Sequence, residues 1–392
     1  MFFGEWEKLP QAARRYILMH CIISPMLFEW YIIPYLMIAR NISVFEIGLI
    51  YTLSSAAGSI LKAPIGRILD RKSPNIIIAL DLMMEGLETL LYYLGLLYLR
   101  LDLLLIASII GELSSAFYPA YSVYEYSAYP EDIREKAFLY HNLLPFTSSA
   151  IGYPILGYIV SRMEVNTLMH TLILFSAAFI LLSATPLLWL PKIGERVVFE
   201  EEEGPISIPR RFIMVSLTAI LFTFSLSLAP IFTLVNLFMK HIGGGLFEIG
   251  VYECIGSLTV IICTLALFKA KKKHGRRLVI LSLALFGTAY MMLYLSNSVA
   301  LAFLSSILFS VGNSIYIPFF RSILFSTIPE DIKGTLLGGL SAVNGLIGIA
   351  CPAIAGYLAA IHAGLPYLTS SLLVFASIPL FIYSTRGYRP TD

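Results

Sequence analysis

The sequence predicts an all-α membrane protein of twelve transmembrane helices arranged as two six-helix repeats. Three observations predict it: a composition short of charge, apolar runs of membrane-spanning length, and local sequence recurring at a nearly constant offset. Of the 392 residues, 58% are hydrophobic and only 13% charged, with a mean hydropathy of +0.80. Soluble globular proteins carry about 25% charged residues. Half of the polar surface that water requires is missing, so lipid must cover the difference.

Apolar runs of about 20 residues cross a hydrocarbon core of about 30 Å. Six such runs lie near 16–39, 46–65, 75–98, 103–127, 137–160 and 166–190, and six more near 212–238, 247–268, 278–296, 299–326, 334–361 and 364–385. The first run is too long for a signal-peptide core, and Glu5, Glu7 and Lys8 precede it, so no cleavable signal is expected.

An even number of spans puts both termini on one side, and basic residues choose which. That side holds twenty-one Lys and Arg, among them Arg67, Arg71, Lys72, Arg210, Lys271 and Arg277. The other side holds four: Arg40, Arg100, Arg162 and Lys240. The positive-inside rule then places both termini in the cytoplasm of a plasma-membrane protein. The stretch 193–211, with Glu200-Glu201-Glu202-Glu203 before Gly204 and Pro205, reads as a solvated linker between lobes 1–192 and 212–392.

The lobes share sequence. Phe45-Glu46-Ile47-Gly48 recurs as Phe247-Glu248-Ile249-Gly250, Pro130-Glu131-Asp132-Ile133 as Pro329-Glu330-Asp331-Ile332, and Gly157-Tyr158 as Gly356-Tyr357. Parallel six-helix repeats describe one transporter architecture. Gly66-Arg67-Ile68-Leu69-Asp70-Arg71-Lys72, between spans 2 and 3, resembles the signature loop of the major facilitator superfamily. Ser73 stands where a second glycine is usual, and the trailing basic pair is lost. The turn Gly152-Tyr153-Pro154-Ile155-Leu156-Gly157 also looks like that family's span-5 antiporter motif, with Tyr153 and Tyr158 in place of glycines.

The resemblance implies a secondary transporter working by alternating access, a monomer whose spans 1, 4, 7 and 10 line a central cavity. Gly66, Asp70, Arg71, Pro154 and Gly157 become gating candidates, with Asp70 facing the N-terminus of span 11. A plain topogenic loop is the competing reading of the signature segment.

Acids within spans carry the functional signal, because one carboxylate at mid-membrane costs about 2.5–3.5 kcal/mol. Glu112 lies near the middle of span 4 and is the first candidate for a substrate or proton site, against a structural hydrogen-bonded glutamate. Glu29 and Tyr31 of span 1 form either a cation-binding wall or part of an interfacial belt. Asp81, Glu85 and Glu88 in span 3 follow at steps of four and three, so they share one face and must point inward. They read as a buried polar network with Lys62 or tyrosine partners, or as a proton relay. Asn236 and Asn313 are neutral candidates for the substrate site in the second lobe, although such residues more often bond a neighbouring helix. His20 and His141 read as packed, hydrogen-bonded histidines, with a proton site as the alternative.

An acidic interior in the first lobe, with Glu253 of span 8 the one comparable acid in the second, favours proton-coupled export of a cationic or amphipathic small-molecule substrate. Uniport or symport of a metabolite or sugar, and a non-transporting sensor or scaffold, are the alternatives. The run Lys269-Ala270-Lys271-Lys272-Lys273 suits anionic lipid headgroups. A net charge of +2 without a basic face speaks against nucleic acid. No His-Glu-x-x-His, paired-cysteine, Gly-x-Ser-x-Gly or Walker motif occurs, so neither an enzyme nor a cofactor or resident metal is expected.

Overall fold

A computed structural model describes residues 6–69, 73–129, 134–192, 208–229, 231–267, 275–327 and 333–386, all but a few connecting positions of which are helical. The chain divides into two units, Met1–Phe199 and Glu200–Asp392.

In the first unit, span 1 is two helices, α1 (Gln11–Met26) and α2 (Glu29–Ala39). Spans 2 and 3 are α3 (Val44–Leu69) and α4 (Pro74–Tyr98). Span 4 is α5 (Leu101–Ser114), a 3₁₀ turn at Ser115–Phe117, and α6 (Tyr118–Ala128). Span 5 is α7 (Arg134–Ser161), and span 6 is α8 (Val165–Leu182) followed by the short α9 (Thr185–Leu188). In the second unit, span 7 is α10 (Arg210–Leu228) and α11 (Ile231–His241), and span 8 is α12 (Leu246–Leu267). Spans 9 to 12 are α13 (Gly275–Leu295), α14 (Val299–Phe325), α15 (Lys333–Ile361) and α16 (Leu365–Ser384).

Among the described residues, nine helices are long and apolar enough to cross a membrane by length and composition. The expected spans outside that count are 2, 3 and 4. Span 2 contributes a shorter apolar stretch, Val44–Ile60. Span 3 carries Asp81, Glu85 and Glu88 together, and span 4 is broken at the 3₁₀ turn. Four of the five acids, Asp81, Glu85, Glu88 and Glu112, therefore lie on spans outside that count. Outward faces are apolar, as at Ile60 and Leu181, each 75% exposed.

The recurring Phe-Glu-Ile-Gly segment has a structural cause. In the first lobe the Glu46 carboxylate accepts both the backbone N–H and the hydroxyl of Ser43, at 2.8 and 2.7 Å, and Ser43 Oγ accepts the Glu46 N–H at 3.2 Å. This reciprocal capping box satisfies donors that a helix start leaves open. In the second lobe Glu248 accepts the N–H of Gly245 at 2.7 Å. The residue two before each cap is left-handed: Asn41 at φ 63° and Gly243 at φ 83°.

Prolines accompany the breaks in spans 1 and 4, whereas span 10 runs unbroken through Pro318. Pro25 has no N–H to offer the carbonyl of Cys21. Span 5 supplies the missing donor, since Ser148 Oγ donates to Cys21 O at 2.6 Å. The approach depends on Gly152, where an added Cβ would lie 2.5 Å from that of Pro25. Span 4 breaks before Pro119 for the same reason, three residues after Glu112. Span 7 breaks near Pro230, which itself lies outside the described residues.

Candidate functional site

Helix α4 brings the acids together. Asp81 is buried and accepts hydrogen bonds from Ser114 and, at 2.6 Å, from the Tyr121 hydroxyl, both on span 4. Tyr121 is thus a partner of Asp81 in the acidic stripe; the side chain of Lys62 lies outside the described residues. Glu85 is buried and hydrogen-bonded by Trp30 of span 1. Thr89 donates across to Glu29 at 3.1–3.2 Å, and Glu29 is 1% exposed at the first turn of α2, where the span-1 break places it.

Glu88 packs on Gly111 so closely that an added Cβ there would sit 2.3 Å from its Oε1. Glu112 follows Gly111 directly and accepts the Ser55 hydroxyl of span 2 at 2.8 Å, with Gly58 making room for its Cβ. Glu88 lies within electrostatic reach of Asp81, Glu85, Glu29 and Glu112 alike. All five acids named from the sequence therefore form one cluster inside the first lobe.

Other candidates lie elsewhere. Tyr31 is fully buried, its ring centroid 5.6 Å from that of Phe28 and 6.3 Å from that of Tyr153. Asn236 is buried on α11 and Asn313 is half-buried on α14, both in the second lobe. Pro154 and Gly157 sit within an uninterrupted α7. Gly66 lies in α3 without a described environment, and Asp70 and Arg71 fall outside the described residues.

The second lobe repeats the scaffold without the charge. Gly256 of span 8 faces Ser306 and Ser310 of span 10 as Gly58 faces Glu112, and each of Gly256 and Ser310 is displaced by 198 residues from its counterpart. Ser176 donates to Gly86 O at 2.6 Å and Ser371 to Gly287 O at 2.8 Å, which aligns spans 3 and 9. With Gly86 aligned on Gly287, Glu85 corresponds to Phe286, whose ring centroid lies 4.8 Å from that of Phe222 and 6.0 Å from that of Tyr316. Serine and aromatic packing stand where the first lobe has carboxylates.

Sequence reasoning did not single out Glu125. It accepts from the Tyr16 hydroxyl at 3.1 Å and pairs with His141 Nδ1 at 3.3 Å. Its signal was an acid one turn beyond Tyr121 on span 4.

A family model described as Major Facilitator Superfamily matches residues 21–277, from within span 1 to the start of span 9. The chain belongs to the major facilitator superfamily. It is a multi-pass membrane transporter rather than an enzyme. No curated relative matches the chain. Three solved structures share the facilitator fold. One is a bacterial homologue of the iron transporter ferroportin in an inward-facing state: TM-score 0.75, 14% identity, 95% of this chain and 98% of that one. Another is a mutant of the nucleoside transporter NupG: 0.72, 11%, with 96% and 100% covered. The third is a bacterial homologue of the human lysosomal transporter Spinster, inward-facing and occupied: 0.70, 14%, with 97% and 98% covered. At these identities the likeness is one of fold.

Proposed function

We propose that this facilitator is a proton-coupled carrier that exports a cationic or amphipathic small solute across the plasma membrane, as a monomer with both termini cytoplasmic. The observation that supports this most is the convergence of five carboxyl groups, Glu29, Asp81, Glu85, Glu88 and Glu112, within one lobe. Like charges in a low-dielectric interior repel by several kcal/mol per close pair. Such a cluster is neutralised by protons or by a cation, and competition between the two is the chemistry of exchange. Glu112 and Glu29 are the loading positions in this reading, with Asp81, Glu85 and Glu88 storing protons behind them. One proton moving inward down 100 mV supplies about 2.3 kcal/mol.

The segment around Gly66, Asp70 and Arg71 and the Pro154–Gly157 turn serve as gates in the same reading. Asn236, Asn313 and Tyr31 belong to the substrate path. The Lys269–Lys273 run holds anionic headgroups, and the twenty-one to four distribution of basic residues supports the orientation.

The test is proton release from purified protein in weakly buffered detergent as organic cations of graded size are added, for wild type, Glu112→Gln and Glu29→Gln. Release that depends on the cation and is lost in the variants is the expected result. Cation binding without proton release in wild type would overturn exchange and leave uniport or symport.

A further inference from the structure

The acid cluster needs a way to reach solvent, and the first lobe contains one that its described acids alone do not supply. Asp81 is the member nearest the N-terminal end of span 3, about 10 Å in by helical rise. Its hydrogen-bond donor Tyr121 has its ring centroid 5.6 Å from that of His20 on span 1, and His20 lies 4.7 Å from His141 on span 5. His141 meets Glu125 at 3.3 Å. Glu125 lies three residues before the end of α6, and its side chain is 18% exposed and that of His141 15%.

The tautomer of His20 follows from its partner. The backbone carbonyl of Tyr16 can only accept, so the Nδ1 atom 3.1 Å away carries the proton and Nε2 keeps its lone pair. His20 is faced by Tyr16 on its own helix, Tyr121 on span 4 and His141 on span 5. His141 is faced by Glu125 and Tyr129 of span 4 and by Tyr16 and His20 of span 1. Glu125 is the one acid among them, and it offsets an imidazolium formed on either ring.

We propose that Glu125, His141, His20 and Tyr121 form a proton port, joining the buried acids to solvent at the end of the first lobe that carries the N-terminus. Inward, a proton from Glu125 charges the histidine pair. The imidazolium then gives its proton to the Tyr121 oxygen as that hydroxyl passes its own proton to Asp81. Tyrosine ends neutral, both imidazoles end neutral, and one proton has moved. The port rests on the proton-coupled reading above, and it assigns to two histidines and a glutamate a role distinct from substrate binding.

The test is infrared spectroscopy of the full chain in phosphatidylcholine–phosphatidylglycerol vesicles, following the carboxylic-acid C=O band after a jump into D2O. Tyr121→Phe keeps the ring and removes the relaying hydroxyl, and His141→Asn removes the exchangeable imidazole. Tyr93→Phe removes the hydroxyl of a separate pair, 3.2 Å from His170 Nδ1, and is the control. Band exchange slowed severalfold in Tyr121→Phe and His141→Asn but not in Tyr93→Phe is expected. Unchanged exchange in a correctly folded Tyr121→Phe would overturn the port while leaving proton storage intact. A wild type with no such band at any pH would overturn proton storage and the port together.

Discussion

The hydroxyl of Ser148 donates to the backbone carbonyl of Cys21, which Pro25 leaves without its helical partner. Spans 1 and 5, 127 residues apart at this contact, are joined by a bond that the proline makes necessary. Ser148→Ala leaves that carbonyl unsatisfied. Side-chain hydrogen bonds within membrane bundles average about 0.6 kcal/mol and reach about 1.7. A loss near the upper end, about 1–2 kcal/mol, is expected here because the orphaned group is backbone. Thermal unfolding of the purified variant measures it.

Gly111→Ala should act on the acid cluster without touching a charge. The new methyl meets the Glu88 carboxylate, and overpacking of this kind costs about 1–3 kcal/mol. Loss of cation-dependent proton release greater than the loss of stability is the expected outcome. Proton release in weakly buffered detergent beside a melting curve separates the two.

The capping boxes differ in strength between lobes. Glu46 takes part in a reciprocal set with Ser43, whereas Glu248 accepts the N–H of Gly245. Loss of a helix N-cap costs about 0.5–2 kcal/mol. Glu46→Ala should therefore destabilise more than Glu248→Ala, with the difference read from paired denaturation curves.

Gly243 needs a left-handed backbone, and its counterpart Asn41 shows that asparagine tolerates the position. Gly243→Asn should be nearly neutral. Gly243→Val should cost about 1–2 kcal/mol, because a Cβ crowds the following carbonyl in that conformation. Expression and melting temperature of the two variants decide it.

Much of this architecture was legible because lipid imposes length. Twelve apolar runs, the side-to-side charge bias and the Phe-Glu-Ile-Gly repeat are local features, and the helices appear where they do. The inward face of span 3 was legible too, since Asp81, Glu85 and Glu88 follow helical spacing. Convergence of Glu29 and Glu112 on that face was not, because contact between spans 1, 3 and 4 is set by packing at Gly58 and Gly111. The Tyr16–Glu125 bond joins residues 109 apart and left no local pattern. Pro25 gave a usable hint: a proline inside a span frees the carbonyl four residues earlier, so a hydroxyl on a neighbouring helix was to be sought.

The acid stripe on α4 also bears on how the chain is made. Three carboxylates at about 2.5–3.5 kcal/mol each offset much of what the apolar remainder of that helix gains on entering lipid. Released alone from the translocon, span 3 would partition poorly. Spans 1 and 4 supply its hydroxyl and indole partners, and span 4 is synthesised after it. Biogenesis of the first lobe is then a group event, in which span 3 waits beside the insertion channel until span 4 emerges, while the second lobe can enter helix by helix.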